Sequence, residues 1–398
     1  MATHARRHGR DLAGGKNRPK PGESSTALSL DHLDRELLSA LQTDFPLVER
    51  PFAALGESLG LAGDQVIERV RRLKSDGFIR EISAIFDSQR LGYQSVLVAM
   101  EVAPSRLSAV GQMVSAQPGV SHNYARDHRY NLWFTLTAPP GEDPATQARD
   151  IQRVTGASRL LLLPAVQRFK IGVSFDLRER HDQIAANTIQ PADQEGTFSA
   201  STGSRGRVEV ADSRPCLGFG RSDAGAVAEW PALNDFEQGL VRALQRDLPL
   251  APRPFLAAAT LLGLAEPELL SQARRLQARG VMRRFGAVLR HRVAGVLGNG
   301  MSCWVVPPER VTEVGRAMAE WPGVTHCYER ATAPDWPYNL FAMLHARSKA
   351  ECLAAGAALA AQVGIADYTV LFSEQEFKKE RVRYFEPEPL ARLRLKQE

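Results

Sequence analysis

Apolar positions near the start of the chain recur at spacings of three and four. Leu33, Leu37, Leu38 and Leu41 make one helical face, Phe52, Leu55 and Leu59 a second, and Val66, Val70 and Leu73 a third. Gly60 breaks the second segment, Gly77 closes the third, and Phe78 to Phe86 then reads as extended. Three short helices with a tight turn and a following strand predict a winged helix-turn-helix. The pattern then changes period. Ser95 to Val102 is a β-branched run, Leu107 to Val114 a short amphipathic helix, and Val120 to Arg126 and Tyr130 to Thr137 two strands across a tight turn. Ala145 to Val154 is helical and Arg159 to Val166 extended, which completes the ferredoxin-like order β-α-β-β-α-β.

The whole arrangement occurs twice. Leu41-Gln42 recurs as Leu244-Gln245, Pro51-Phe52 as Pro254-Phe255, Leu59-Gly60-Leu61 as Leu262-Gly263-Leu264, and Arg80 as Arg283. Pro118-Gly119-Val120 recurs as Pro322-Gly323-Val324, and His122, Tyr124 and Arg126 as His326, Tyr328 and Arg330. After a four-residue insertion, Tyr130-Asn131-Leu132 recurs as Tyr338-Asn339-Leu340. Chance matches do not stay collinear over this length. The expected fold class is therefore α+β: two tandem copies of a winged helix-turn-helix plus a ferredoxin-like domain, forming an intramolecular pseudo-dimer open to further self-association. The expected boundaries are a disordered basic arm at 1–28, helical units at 29–90 and 230–293, and ferredoxin-like domains at 91–178 and 294–386. A linker rich in Ala, Gly, Ser, Asp and Gln spans 179–229, and a tail 387–398.

The 398 residues carry a formal charge of +5, which suits nucleic acid or an acidic small molecule alike. No apolar run approaches the roughly 20 residues of a membrane span. The basic N-terminus has no hydrophobic stretch behind it and does not read as a secretory signal. Cys216, Cys303, Cys327 and Cys352 show neither metal-ligand nor redox spacing and read as core thiols in a reducing cytoplasm.

The candidate chemistry lies on one strand of each copy. Side chains on a strand alternate faces, so His122, Tyr124 and Arg126 share one face, as do His326, Tyr328 and Arg330. Each strand thus presents an imidazole, a phenol and a guanidinium together. His128 occurs in the first copy alone, where the second has Pro334, Asp335, Trp336 and Pro337 in a longer turn. That favours two unequal sites, with the first copy catalytic because a second histidine stands near His122 to relay a proton. Tyr130 and Tyr338 suit ligand binding or sheet packing equally, and Asn131 and Asn339 a ligand or a strand edge. Arg80 and Arg283 read first as structural, and the run Lys378, Lys379, Arg381 and Arg383 as a solvated face, with attraction of carboxylates as the alternative.

Two stretches carry a family resemblance. Leu59 to Ile79 (LGLAGDQVIERVRRLKSDGFI) resembles the helix-turn-helix of the Lrp/AsnC regulators. His122 to Trp133 (HNYARDHRYNLW), His326 to Phe341 (HCYERATAPDWPYNLF) and Leu371 to Phe385 (LFSEQEFKKERVRYF) resemble the siroheme decarboxylases, which share that two-part fold. The resemblance implies a carboxy-lyase that removes two acetate carboxyls from siroheme to give didecarboxysiroheme, in haem d1 or alternative haem biosynthesis. It implies no added cofactor and no functional DNA binding. The duplication is what a fused form of a two-subunit enzyme should look like.

Siroheme is a flat apolar ring with eight carboxylates and a central iron. It calls for cations, apolar faces and a proton donor. Arg126 and Arg330 suit its carboxylates, and His122, His128 and His326 suit proton transfer. A histidine suits ligation of the substrate's iron equally well, and no metal site built by the protein itself is expected. The competing classes are an Lrp/AsnC-type regulator that binds DNA and a small ligand, and a non-catalytic haem sensor. The recognition segments Asp64–Lys74 and Pro267–Gly280 differ in charge, which argues against the first.

Overall fold

A computed structural model describes residues 30–43, 45–171, 232–289 and 298–386. The basic arm, the linker, Cys216 and the tail lie outside the described residues.

In the first copy α1 (His32–Thr43), α2 (Pro51–Leu59) and α3 (Gly63–Ser75) lead into β1 (Ile79–Phe86). Next come β2 (Gln94–Glu101), α4 (Leu107–Ser115), β3 (Val120–Arg126), β4 (Leu132–Ala138), α5 (Pro144–Thr155) and β5 (Arg159–Ile171). The second copy repeats the order as α6 (Asp235–Leu244), α7 (Leu256–Leu261), α8 (Glu266–Ala278), β6 (Met282–Leu289), β7 (Gly298–Trp304), α9 (Val311–Glu320), β8 (Val324–Arg330), β9 (Leu340–Ala346), α10 (Lys349–Val363) and β10 (Tyr368–Lys379). Local chemistry sets the ends. Asp143 caps α5 by accepting from the Ala145 and Thr146 amides, Pro144 opens the helix, and Gly156 ends it at φ 64°.

The copies interlock twice. The wings β1 and β6 pair antiparallel, and both helical units share one core in which Phe45 packs on Phe52 of its own copy and on Phe255 and Phe285 of the other. The ferredoxin-like sheets join into a closed eight-stranded barrel, β10-β3-β4-β2-β5-β8-β9-β7. Two strands make the joins. β5 pairs with β2 of its own copy, and from Ala165 on with β8 of the other; β10 pairs with β7, and from Ser373 on with β3. The pattern predicts that β5 ends near Val166, but it runs to Ile171. Its second half mixes apolar with charged residues, and a partner strand in the other copy holds it extended while Phe169 packs on that copy's core.

Each crossing strand carries a phenylalanine into a glycine notch on the opposite copy. Phe377 lies against Gly111 of α4, and Phe169 against Gly315 of α9, each so close that a Cβ on the glycine would overlap the ring. Gly111→Val and Gly315→Val are each expected to destabilise the fold by about 1–3 kcal/mol through overpacking. Chemical denaturation measures this, and unchanged midpoints for both variants would remove the notch from the account of how the copies hold together.

Candidate active site

The barrel positions the two triads. On β3, Tyr124 stands opposite Trp133 of β4; on β8, Tyr328 stands opposite Phe341 of β9. Trp133 and Phe341 belong to the core inside the barrel, with Leu161, Leu163, Met301, Cys303, Trp336 and Leu371. The alternation that fills this core therefore turns His122, Tyr124 and Arg126 inward from one wall, and His326, Tyr328 and Arg330 inward from the wall across from it.

The deep members are the arginines. Arg126 is buried and donates through Nη1 to Leu371 O, 2.8 Å; Arg330 donates through Nη1 to Leu163 O, also 2.8 Å. Both acceptor carbonyls sit on the crossing strands. The Nε of each arginine is buried without a partner, and neither arginine makes an ion pair among the described residues. Each guanidinium lies over its own triad's tyrosine, at 5.6 Å for Arg126 and 4.9 Å for Arg330. Burial lowers both pKa values, that of Arg330 to about 10. Burial drives the thiol of Cys303, within electrostatic reach of both, up to about 12. Two buried cations without carboxylates are costly unless an anion joins them.

The histidines lie toward the barrel mouth that faces the wings. His122 pairs with Lys379 in the β3–β10 register, and its ring is 6.4 Å from that of Tyr124. His326 pairs with Ile171, and its ring is 6.3 Å from that of Tyr328. Burial, then the charges of Lys379, His326 and Arg80, pushes His122 down to about 4, so its imidazole is neutral at physiological pH. Each histidine is held at Nδ1 by the preceding residue's hydroxyl, His122 by Ser121 at 3.0 Å and His326 by Thr325 at 2.9 Å.

The remaining candidates lie elsewhere. His128 stands beyond the other end of β3, past the roughly 13 Å of strand that runs from His122 to Arg126. It stacks on Tyr130 at 6.2 Å and meets Trp336 edge-on at 5.4 Å. His128 lies in the turn beside Arg126, its amide donating to Arg126 O at 2.9 Å, and the strand from His122 to Arg126 holds the two histidines apart. Tyr130 donates to Asp335 at 2.5 Å, and Tyr338 packs on Trp336. Both tyrosines close the barrel's far end around a tryptophan that the second copy's insertion supplies. Asn131 spans the backbone N–H and C=O of Val102, and Asn339 those of Val306. Their amides brace adjacent strand ends and are spent there.

Of the charged residues near the triads, Arg168 alone is not singled out in the sequence. The run at the end of β10 and just beyond it is only partly a solvated face: Lys379 and Arg383 are exposed, Lys378 and Arg381 half-buried. Lys378 donates to Ser115 O, Arg381 to Glu81, Ser83 and Ala84 O, and Arg383 to Gln245 O and Glu81, which straps the barrel to the wings. Lys379 and Arg80 add positive charge beside His122, and Arg168 and Arg283 add it beside Tyr328. Arg283 is also anchored by Asp87 at 2.7 Å. Among the described residues no three His, Cys, Asp or Glu side chains converge on a metal position, and no helix is long and apolar enough to cross a membrane. A groove of about 570 Å³ in the second helical unit, lined by Arg242, Phe255 and Leu261 among others, contains none of the triad residues.

The architecture agrees with known proteins. The model of the siroheme decarboxylase NirDL-like helix-turn-helix domain matches residues 34–80 and 237–283, and that of the AsnC-like ligand binding domain matches 90–170 and 293–378. A siroheme decarboxylase of Hydrogenobacter thermophilus is 37% identical over 89% of this chain and 95% of its own. A siroheme decarboxylase beta subunit of Methanosarcina barkeri is 44% identical over 36% of this chain and 95% of its own, so one copy here corresponds to a whole subunit there. The crystal structure of the siroheme decarboxylase NirDL in co-complex with an iron-uroporphyrin III analogue superimposes with a TM-score of 0.66 at 32% identity, over 89% of this chain and 95% of that one.

Proposed function

Since the chain belongs to the siroheme decarboxylase family, we propose that it is a carboxy-lyase that removes two acetate carboxyls from siroheme without an added cofactor. The observation that carries this reading is the pair of inward-facing triads, which set two uncompensated guanidiniums behind two imidazoles in one barrel. Arg126 and Arg330 bind ring carboxylates, and Tyr124 and Tyr328 lie against the ring. Arg80, Arg168, Arg283 and Lys379 draw the polyanion to the mouth. Loss of carbon dioxide leaves an electron pair on the methylene carbon, and a histidine N–H gives that carbon the proton that completes a methyl group. His122, held neutral, suits orientation of the substrate or ligation of its iron. His326 is the better placed donor. This reverses the expectation that the first copy is catalytic, which leaned on His128. The test is anaerobic incubation of the purified chain with siroheme alone. A product lighter by two carbon dioxides is expected, whereas bound but unchanged siroheme would favour a sensor.

The helical units serve assembly in this reading, not DNA recognition. On α3, Arg69 is tied to Asp31 and Asp34, Arg72 to the buried Asp34, and Lys74 to Asp247 of the other copy. The cations expected to meet phosphates are thus engaged within the protein. Selection from random duplexes is expected to yield nothing tighter than the non-specific range of about 10⁻⁴ to 10⁻⁶ M at physiological salt. A nanomolar operator would overturn this.

A further inference from the structure

We propose that His345 is a positioning residue that supplies protons to His326 through Thr325, a relay present in the second copy alone. The inference rests on the decarboxylase reading and names how its proton donor is recharged. Thr325 Oγ1 lies 2.9 Å from His326 Nδ1 and 2.9 Å from His345 Nε2, so one hydroxyl bridges two imidazoles. Thr325 is the bulged residue of β8, where the register with β9 slips between Val324 and His326. A bulge re-aims a side chain, and here it brings the hydroxyl between the two rings. His345, on β9, is half-buried, and its amide donates to Gly323 O at 3.1 Å.

The first copy keeps the frame but not the relay. Ser121 is the matching bulge and bonds His122 at Nδ1. Thr137, whose amide donates to Gly119 O, takes the place of His345, and its hydroxyl pairs with Ser95 at 2.8 Å. Among the described residues, no second imidazole bonds the hydroxyl that holds His122.

The chemistry requires such a supply. Each decarboxylation breaks one carbon–carbon bond, releases carbon dioxide and consumes one proton at carbon. Two rounds on one substrate consume two, so the donor must be recharged between them. A hydroxyl has one proton and two lone pairs. Thr325 gives its proton to His326 Nδ1 as it takes one from Nε2 of a protonated His345, while His326 releases its Nε2 proton to the substrate carbon, so no imidazolate forms. Before the second round His326 takes a proton at Nε2 from solvent and its Nδ1 proton returns through Thr325 to His345, which restores the starting tautomers.

The test measures siroheme binding by absorbance and both decarboxylations by mass, in wild type, Thr325→Val, Thr325→Ser and His345→Ala. Thr325→Val and His345→Ala are expected to bind siroheme as wild type does and to slow turnover about tenfold or more, within the scale of acid–base assistance. The second decarboxylation is expected to suffer more than the first. Thr325→Ser is expected to restore the rate, and added imidazole to rescue His345→Ala, neither of which a packing role predicts. Wild-type turnover in both relay-breaking variants, or slow turnover that imidazole and Thr325→Ser leave unrelieved, overturns the relay while leaving the decarboxylase reading intact. Wild-type protein that binds siroheme and never releases carbon dioxide overturns both.

Discussion

His326→Ala is expected to lower the single-turnover rate of siroheme decarboxylation by about 10²- to 10⁴-fold, the usual contribution of a positioned acid or base. His122→Ala is expected to cost less in rate and more in affinity. The two imidazoles are related by the internal repeat, yet their surroundings differ. His122 sits beside Lys379 and Arg80, and a ring held down to about 4 stays neutral at pH 7, so it would become an anion on giving up its N–H proton. His326 is linked through a hydroxyl to a second imidazole. Rapid mixing under anaerobic conditions, with binding followed by absorbance, separates rate from affinity. Equal rate losses in the two variants would remove the asymmetry, and a larger loss for His122→Ala would place the donor in the first copy.

Acid is expected to destabilise the fold through His122 by up to roughly 3 kcal/mol, the value of a shift from 6.5 to about 4. In the unfolded chain the ring takes up a proton as pH falls through 6.5. In the folded chain, burial and neighbouring cations delay this until about 4. Across that window the unfolded state holds more protons, so stability present above pH 6.5 drains away on acidification. Urea titrations at pH 7 and pH 4.5, on wild type and on His122→Gln, isolate the effect because all other titrating groups are common to both. Wild type is expected to lose more stability between the two pH values. Parallel losses would show that the ring is not protected from protonation.

Much of this molecule is legible in its sequence because much of it is local. The strand Val120–Arg126 has the predicted ends, and both copies follow the predicted order of elements. The inward face shared by His122, Tyr124 and Arg126 follows from strand alternation alone. What escapes is what one copy does to the other. The second halves of β5 and β10 carry charged residues and look like strand ends, yet they close the barrel. Arg381 and Arg383 look solvated because Glu81 and Gln245, their partners, lie far away along the chain. His128 looks close to His122 when six residues are counted, but an extended strand turns sequence proximity into distance. His345 and Thr325 escape because a bulge, invisible in the alternation, brings the Thr325 hydroxyl between the His326 and His345 rings.

Neither copy can complete the barrel by itself, since each completes its sheet edges with a strand of the other. In an enzyme of separate subunits that union depends on concentration, and a half can meet its own kind as readily as its counterpart. Joining the halves in one polypeptide turns the encounter into a first-order event at a fixed effective concentration. Barrel closure should therefore be insensitive to dilution. Fusion also ensures that each half always finds the other, never another copy of itself. The two strand faces are then free to diverge, so a proline-bounded insertion carrying Trp336 can fill one end of the barrel without having to fit beside its own duplicate.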